Sequence, residues 1–167
     1  MSIQKQNPIN ILEYTIRKEV YIMGTFLDAQ ISQNISISGG IAIPLSSTPA
    51  LFATLGLTTG GAGPNLRVQF TATIAISSLV TAAVPITIEI YRGLGPERVL
   101  VYSATETSPV IGALGVASRR IITVTGADYR PPNPGSLVYQ AFISIPGGIV
   151  LVPTRTGPES LNAANNI

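Results

Sequence analysis

Neither cysteine nor histidine occurs in the 167 residues, and tryptophan is absent too. Without thiols or imidazoles there is no disulfide framework, no zinc site of the usual ligands, no cysteine nucleophile and no Ser-His-Asp triad. Charge is almost as scarce. Asp, Glu, Lys and Arg make up 11% of the chain, against about 25% in an average soluble domain. Ten cations against eight anions leave a formal net charge of +2. The sequence pI of 9.2 therefore reflects thin acidity rather than a basic surface, and the electrostatic footprint of a nucleic-acid binder is missing. The opening MSIQKQNPIN has no basic segment followed by a long apolar run and a small-residue cleavage site, so no secretion signal is expected.

What is plentiful is apolar, small and β-branched. At 46% hydrophobic the chain has enough material for one sizeable core. Mean hydropathy is +0.41, and residues 68–88 carry no charge. Yet Gln69, Thr71, Thr73, Ser77, Ser78, Thr81, Pro85 and Thr87 interrupt that stretch, mostly at the two-residue period of a strand rather than as a spanning helix. Val68, Phe70, Ala72, Ile74 and Ile76 alternate with polar or small residues, and Val84, Ile86, Ile88 and Ile90 do the same after a turn over residues 77–83. Two such strands predict an antiparallel hairpin with Pro85 at a strand start or edge.

Further strands are predicted at 98–103, 119–125, 137–145 and 149–153. They are separated by Gly93-Leu94-Gly95-Pro96, Gly126-Ala127-Asp128, Pro131-Pro132-Asn133-Pro134-Gly135 and Pro146-Gly147-Gly148, which read as turns. Upstream, Ile35, Ile37, Ile41 and Ile43 alternate with small residues, and the loop over 45–64 has room for one short strand at 51–55. Eight to ten short strands predict an all-β antiparallel sandwich or barrel, with residues 24–167 as its domain.

Residues 1–23 differ in composition and read as an extended N-terminal arm. They hold Lys5, Glu13, Arg17, Lys18 and Glu19, five of the eighteen charges. Ile9, Leu12, Ile16 and Val20 share a face at helical spacing. The alternation of Tyr14, Ile16, Val20 and Ile22 with Thr15, Arg17, Glu19 and Tyr21 favours a strand over 13–23 instead.

Chemistry-bearing motifs are few. Gly60-Gly61-Ala62-Gly63 and Gly93-Leu94-Gly95 lack the lysine of a phosphate loop, and Ser38 lacks the preceding glycine of a nucleophile elbow. Asp28, Glu89, Glu97, Glu106, Asp128 and Glu159 are the candidates for a hydrolytic carboxylate pair, but nothing around them marks a special environment. The expectation is a non-enzyme without cofactor or metal. Arg119-Arg120 must point to opposite faces of a strand, as an ion pair or an edge guard. Tyr129-Arg130 abuts two prolines, and Asn34-Ile35-Ser36 matches a glycosylation sequon.

The surface is the informative feature. A folded chain of 17.5 kDa exposes about 7,900 Å² by the usual scaling, which eighteen charges cover sparsely. Outward positions such as Thr71, Thr73, Ala75, Val138, Phe142 and Val150 suit a sheet packed on another subunit.

From about residue 35 to 152 the chain resembles the jelly-roll domains of Bacillus-type spore surfaces. The resemblance rests on Ile41-Ala42-Ile43-Pro44, the segment LRVQFTATIAISSLVTAAVPITIEIYRG, and the late strands RRIITVTGADY and SLVYQAFISI. The relatives meant are the C1q/TNF-like heads of exosporium glycoproteins and the subunits of endospore appendages. Unlike them the chain has no collagen-like stalk and no connector cysteines, so it is most similar to a cysteine-free appendage subunit. That resemblance implies a homopolymeric extracellular fibre on the spore surface, made in the mother cell without a signal peptide. An anchoring protein and a collagen-like tip protein would be further partners; nucleic acid and membrane insertion are not expected. Its arm would dock on the neighbouring subunit through Ile9, Ile11, Leu12, Tyr14, Ile16 and Val20 by backbone pairing and apolar burial. A closed C1q/TNF-like homotrimer and a viral jelly-roll capsid or decoration protein are the alternatives.

Overall fold

The computed structural model describes residues 24–79, 83–107 and 117–167. Nine strands run through them: β1 Phe26–Ile35, β2 Ile43–Pro44, β3 Ala50–Thr58, β4 Arg67–Leu79, β5 Pro85–Arg92, β6 Val99–Thr107, β7 Ala117–Tyr129, β8 Ser136–Ser144 and β9 Thr154–Asn166. A single 3-10 turn, Gly95–Glu97, is the only helical element among the described residues. All pairings are antiparallel. One sheet runs β1-β9-β4-β7 with β2 beside β9, and the other runs β3-β8-β5-β6. From β2 onward every connection crosses between sheets except the β5–β6 hairpin. This is the double Greek key of a jelly roll, as the resemblance implies, and an all-β antiparallel sandwich, as the strand pattern predicts.

Alternation is what builds the core. Val68, Phe70, Ala72, Ile74 and Ile76 of β4 face Ile86, Ile88 and Ile90 of β5 and Leu137, Tyr139, Ala141 and Ile143 of β8 across the sandwich, all buried. The predicted β4–β5 hairpin is therefore incorrect. Each strand's apolar face is satisfied by packing against the opposite sheet, so β4 pairs with β7 and β9 while β5 pairs with β6 and β8. Pro85 does begin β5, where a missing N–H is tolerated.

Four further expectations are corrected. Residues 149–153 are not a strand but part of the connection into β9. Gly126-Ala127-Asp128 is not a turn; it continues β7, and Gly126 is there because a Cβ would lie 2.6 Å from Phe70 and 2.7 Å from Tyr102. Of the alternating isoleucines only Ile35 ends β1 and Ile43 starts β2, with a bend at 37–40 between them. β3 is longer than 51–55. The predicted arm, its strand over 13–23 and residues 80–82 of the predicted turn over 77–83 lie outside the described residues, while residues 77–79 of that turn continue β4 instead. No helix among the described residues is long and apolar enough to cross a membrane.

Candidate assembly surfaces

Thirteen of the eighteen charges lie in residues 24–167, and three ion pairs occupy six of them. Arg155 and Glu159 meet inside the sandwich: Nε donates to Oε1 at 2.7 Å and Nη2 to Oε2 at 2.5 Å. Residues four apart on a regular strand lie about 13 Å apart. Here β9 accommodates extra residues between Arg155, opposite Ile76, and Glu159, opposite Ile74, which brings the two side chains together. Asn34 Nδ2 donates to Glu159 Oε2 at 2.8 Å, so the amide of the predicted sequon is engaged. Arg92 Nη1 and the Tyr139 hydroxyl both donate to Asp128 Oδ2, at 2.6 and 2.9 Å, tying β7 to the opposite sheet. Burial, followed by the Asp128 charge, pushes the Tyr139 hydroxyl far above its ordinary pKa. Arg120 pairs with Glu106 at 2.6 Å and Arg119 is exposed on edge strand β7, as the doublet's opposite facings predict.

Of the candidate carboxylates, Asp128, Glu159 and Glu106 are thus bound to three separate arginines. Asp28 Oδ2 accepts from Thr58 N–H at 2.8 Å, Glu89 accepts from Tyr91 at 3.2 Å, and Glu97 sits exposed in the 3-10 turn. The structure does not gather them into one site. Both glycine clusters are turns, with φ of 80° at Gly61, 93° at Gly93 and 68° at Gly95, and Ser38 lies in the bend after β1. Arg130, at φ 53°, leads from β7 into the proline turn, and Arg67 lies over the Tyr129 ring at 5.9 Å.

The outer face of the five-stranded sheet is a different kind of surface. Register places its outward residues in transverse rows: Ala29, Ala164, Gln69 and Ala127; then Ile31, Asn162, Thr71 and Thr125; then Gln33, Ser160, Thr73 and Thr123; then Ala75 beside Ile121. None of them is charged. Thr71 and Thr125 hydroxyls bond at 3.4 Å, and Thr73 and Thr123 at 3.2 Å, so the threonines satisfy one another. Ile31 and Ile121 stand 64% and 63% exposed. Arg67 and Arg119 bound this face at its two ends. Of the outward residues expected on this sheet, Thr71 and Thr73 are half-buried and Ala75 is buried.

The four-stranded sheet covers the centre of its own outer face, while Leu51 and Leu100 beside it stay 46% and 47% exposed. Phe142 was expected to be exposed but is buried, because Tyr91 packs edge-on against it at 5.5 Å and the Arg98 guanidinium lies 4.5 Å from its ring centre. Val138 is half-buried. Desolvation, reinforced by Glu89, raises the Tyr91 pKa. Edge strand β3 is guarded by β1, whose Ser32 Oγ and Asp28 carboxylate accept from the free N–H groups of Thr54 and Thr58.

A third surface lies at the end where β8 turns into β9. Residues 37–45 are held against 153–156 by Gly39 N–H to Thr156 O at 2.8 Å, Leu45 N–H to Pro153 O at 2.8 Å, and the β2–β9 pairing. This collects five exposed apolar side chains: Ile37, Ile43, Val150, Leu151 and Val152. Val150 is 91% exposed, as expected of an outward residue. The sequence reading missed the group by treating 149–153 as a strand, although Gly147-Gly148 before and Pro153 after it leave little length for one. At the opposite end, Gly24 and Thr25 leave the sandwich beside the C-terminal Ile167, paired through two backbone bonds of 2.9 and 3.0 Å. The predicted docking residues Ile9, Ile11, Leu12, Tyr14, Ile16 and Val20 lie outside the described residues.

No family model matches the chain, and no curated protein matches it. Solved structures with similarity include the Eiger tumour necrosis factor of S. frugiperda, at 9% identity and TM-score 0.43, covering 85% of this chain and 92% of that one. A disulfide-linked pilus of Bacillus endospore appendages matches at 13% identity and TM-score 0.35, covering 86% and 89%. A chain of infectious bursal disease virus, Gt strain, matches at 8% identity and TM-score 0.41, covering 82% of this chain and 32% of that one.

Proposed function

We propose that this protein is a structural subunit that self-assembles head to tail into an extracellular filament on the spore surface. Residues 1–23 form its connector, docking on the neighbouring subunit through Ile9, Ile11, Leu12, Tyr14, Ile16 and Val20. The observation that carries the reading is the uncharged outer face of the five-stranded sheet. Three rows on four strands span about 20 by 19 Å, or about 400 Å² in plan, from the ordinary strand rise and spacing. A stable interface buries about 800 Å² per partner. The face alone therefore falls short, and a second contact is needed; a 23-residue connector with six apolar anchors is of the right size to supply it.

A connector donated in one direction makes a heterologous contact, and such contacts give open fibres unless their rotation closes. Main-chain hydrogen bonds and apolar burial would hold it without cysteine. Negative-stain microscopy of the purified full-length protein is expected to show uniform filaments. Removing residues 1–23 is expected to leave folded, dispersed subunits, since all nine strands lie beyond residue 24. Filaments of normal length from the shortened chain would overturn the connector role. A single sharp species of three subunits from the full-length chain would instead favour the closed trimer, which the same uncharged face could also build.

A further inference from the structure

Resting on the reading of the uncharged sheet face as a subunit contact, we propose that a trough in this face binds a neutral oligosaccharide, which competes there with the neighbouring subunit. Two depressions of about 490 and about 340 Å³ share Asn162 and Ala164 and together cross β7, β4, β9 and β1. Three interstrand spacings make the trough about 14 Å long. Its floor is the row Ala29, Ala164, Gln69 and Ala127, in which only Gln69 extends beyond a methyl group. The row on one side is Ile31, Asn162, Thr71 and Thr125, and the row on the other is Phe26, Asn166, Arg67 and Tyr129. Phe26 and Tyr129 are 63% and 70% exposed. The Arg67 guanidinium, 5.9 Å from the Tyr129 ring centre, steadies that ring.

The lining selects the class of ligand. No charged side chain lines either depression, so an anionic polymer meets no counter-charge within the trough. β4 and β9 are paired on both sides, which leaves no free backbone edge there for an added peptide strand. A purely apolar ligand would strip water from the carboxamides of Gln69 and Asn162 and the hydroxyls of Thr71 and Thr125 without replacing its hydrogen bonds. An oligosaccharide meets these demands together. Its hydroxyls bond to the amides and threonines, which both donate and accept, while the apolar face of one sugar ring lies on the exposed Tyr129 ring. The trough takes two of the three uncharged rows of the subunit contact, so saccharide and neighbour exclude each other.

The test titrates the full-length Ile121→Lys protein, whose change lies outside the trough and is expected to keep subunits dispersed, with maltohexaose, cellohexaose and chitohexaose in turn. In nuclear magnetic resonance spectra at least one of them is expected to shift the side-chain amides of Gln69 and Asn162 and the backbone amides of Thr125 and Ala127. Adding Tyr129→Ala is expected to weaken that binding about tenfold; should it disturb folding, Gln69→Ala with Asn162→Ala replaces it. No shift from any of the three saccharides, or binding that these substitutions leave unchanged, would overturn the saccharide site. In sedimentation the bound saccharide is expected to raise several-fold the concentration at which the unaltered protein polymerises. Binding without that rise would overturn the competition and leave the site standing. Polymer from Ile121→Lys would likewise overturn the competition, and binding is then read from the loss of saccharide above pelleted fibres. No polymer from the unaltered protein without saccharide would overturn the subunit contact alone, and the titration then runs on the unaltered chain.

Discussion

Glu159 has no exposed surface, and its carboxylate is held by Arg155 and Asn34. Removing one member of such a pair leaves the other charge buried without a partner, which costs about 3–5 kcal/mol. Glu159→Ala is expected to lower the unfolding free energy in urea by that amount, while the joint replacement Arg155→Met with Glu159→Leu recovers most of it. A loss below about 1 kcal/mol in the single variant would mean the pair contributes little to holding the sheets. Tyr139 sets the alkaline limit. Its folded pKa lies above the unfolded value near 10, so the folded chain holds the proton more tightly. The stability that this supplies is complete below about pH 10 and is lost as pH rises beyond it. Tyr139→Phe is expected to lower the urea midpoint at neutral pH, through the lost bond to Asp128, and to flatten its fall above pH 10. An unchanged alkaline slope would assign that fall to other groups, Tyr91 first among them. None of these networks was legible in the sequence, since Arg155 and Glu159 meet only because β9 bulges, and Arg92, Asp128 and Tyr139 meet only once the two sheets face each other.

Strands were legible where one face is apolar and the other is not. β4, β5 and β8 appear where their alternation places them, because a half-buried strand writes its burial into its sequence. β9, Thr154–Asn166, was invisible: TRTGPESLNAANN has small and polar residues on both faces, and it becomes a strand because β1 and β4 supply hydrogen-bond partners on both sides. Partner choice was also out of reach, since proximity in sequence suggested a β4–β5 hairpin where the core demanded a crossing. Edge protection is likewise a property of elements. Asp28 accepts from Thr58 N–H, and that bond chiefly lowers its pKa. Its contribution is therefore present above the ordinary carboxylate range and is lost as pH falls through it. Asp28→Ala is expected to speed hydrogen exchange at the Thr58 amide while leaving the interior β4 amides protected. Equal protection in both proteins would show that the β3 edge is covered by something other than this carboxylate.

For the whole molecule the decisive quantity is where charge is missing. Composition alone announced the scarcity, but only the register of β1, β9, β4 and β7 shows that one sheet face is free of it between Arg67 and Arg119. Six of the thirteen charges of residues 24–167 neutralise one another in ion pairs, and Arg67 and Arg119 stand in the two end rows of the face. A face of this kind associates by exclusion of water and by shape, so assembly is expected to change little between low and high ionic strength, where ion-pair contacts would weaken steeply. It is also intolerant of an added charge. Ile121, 63% exposed, can become Lys without disturbing the core of its own subunit, because its neighbours on β7, Ile122 and Val124, carry the inward packing. In an assembly that covers this face the same ammonium would be buried without a partner, at a cost of several kcal/mol at every contact. Ile121→Lys is therefore expected to leave thermal unfolding of the dispersed subunit within a few degrees of the original while shortening or abolishing polymer in sedimentation and microscopy. Because a fibre repeats one contact many times, even a partial loss at each contact shortens it sharply. Full-length fibres from Ile121→Lys would show that this face stays in solvent, and would leave the connector to carry assembly without it.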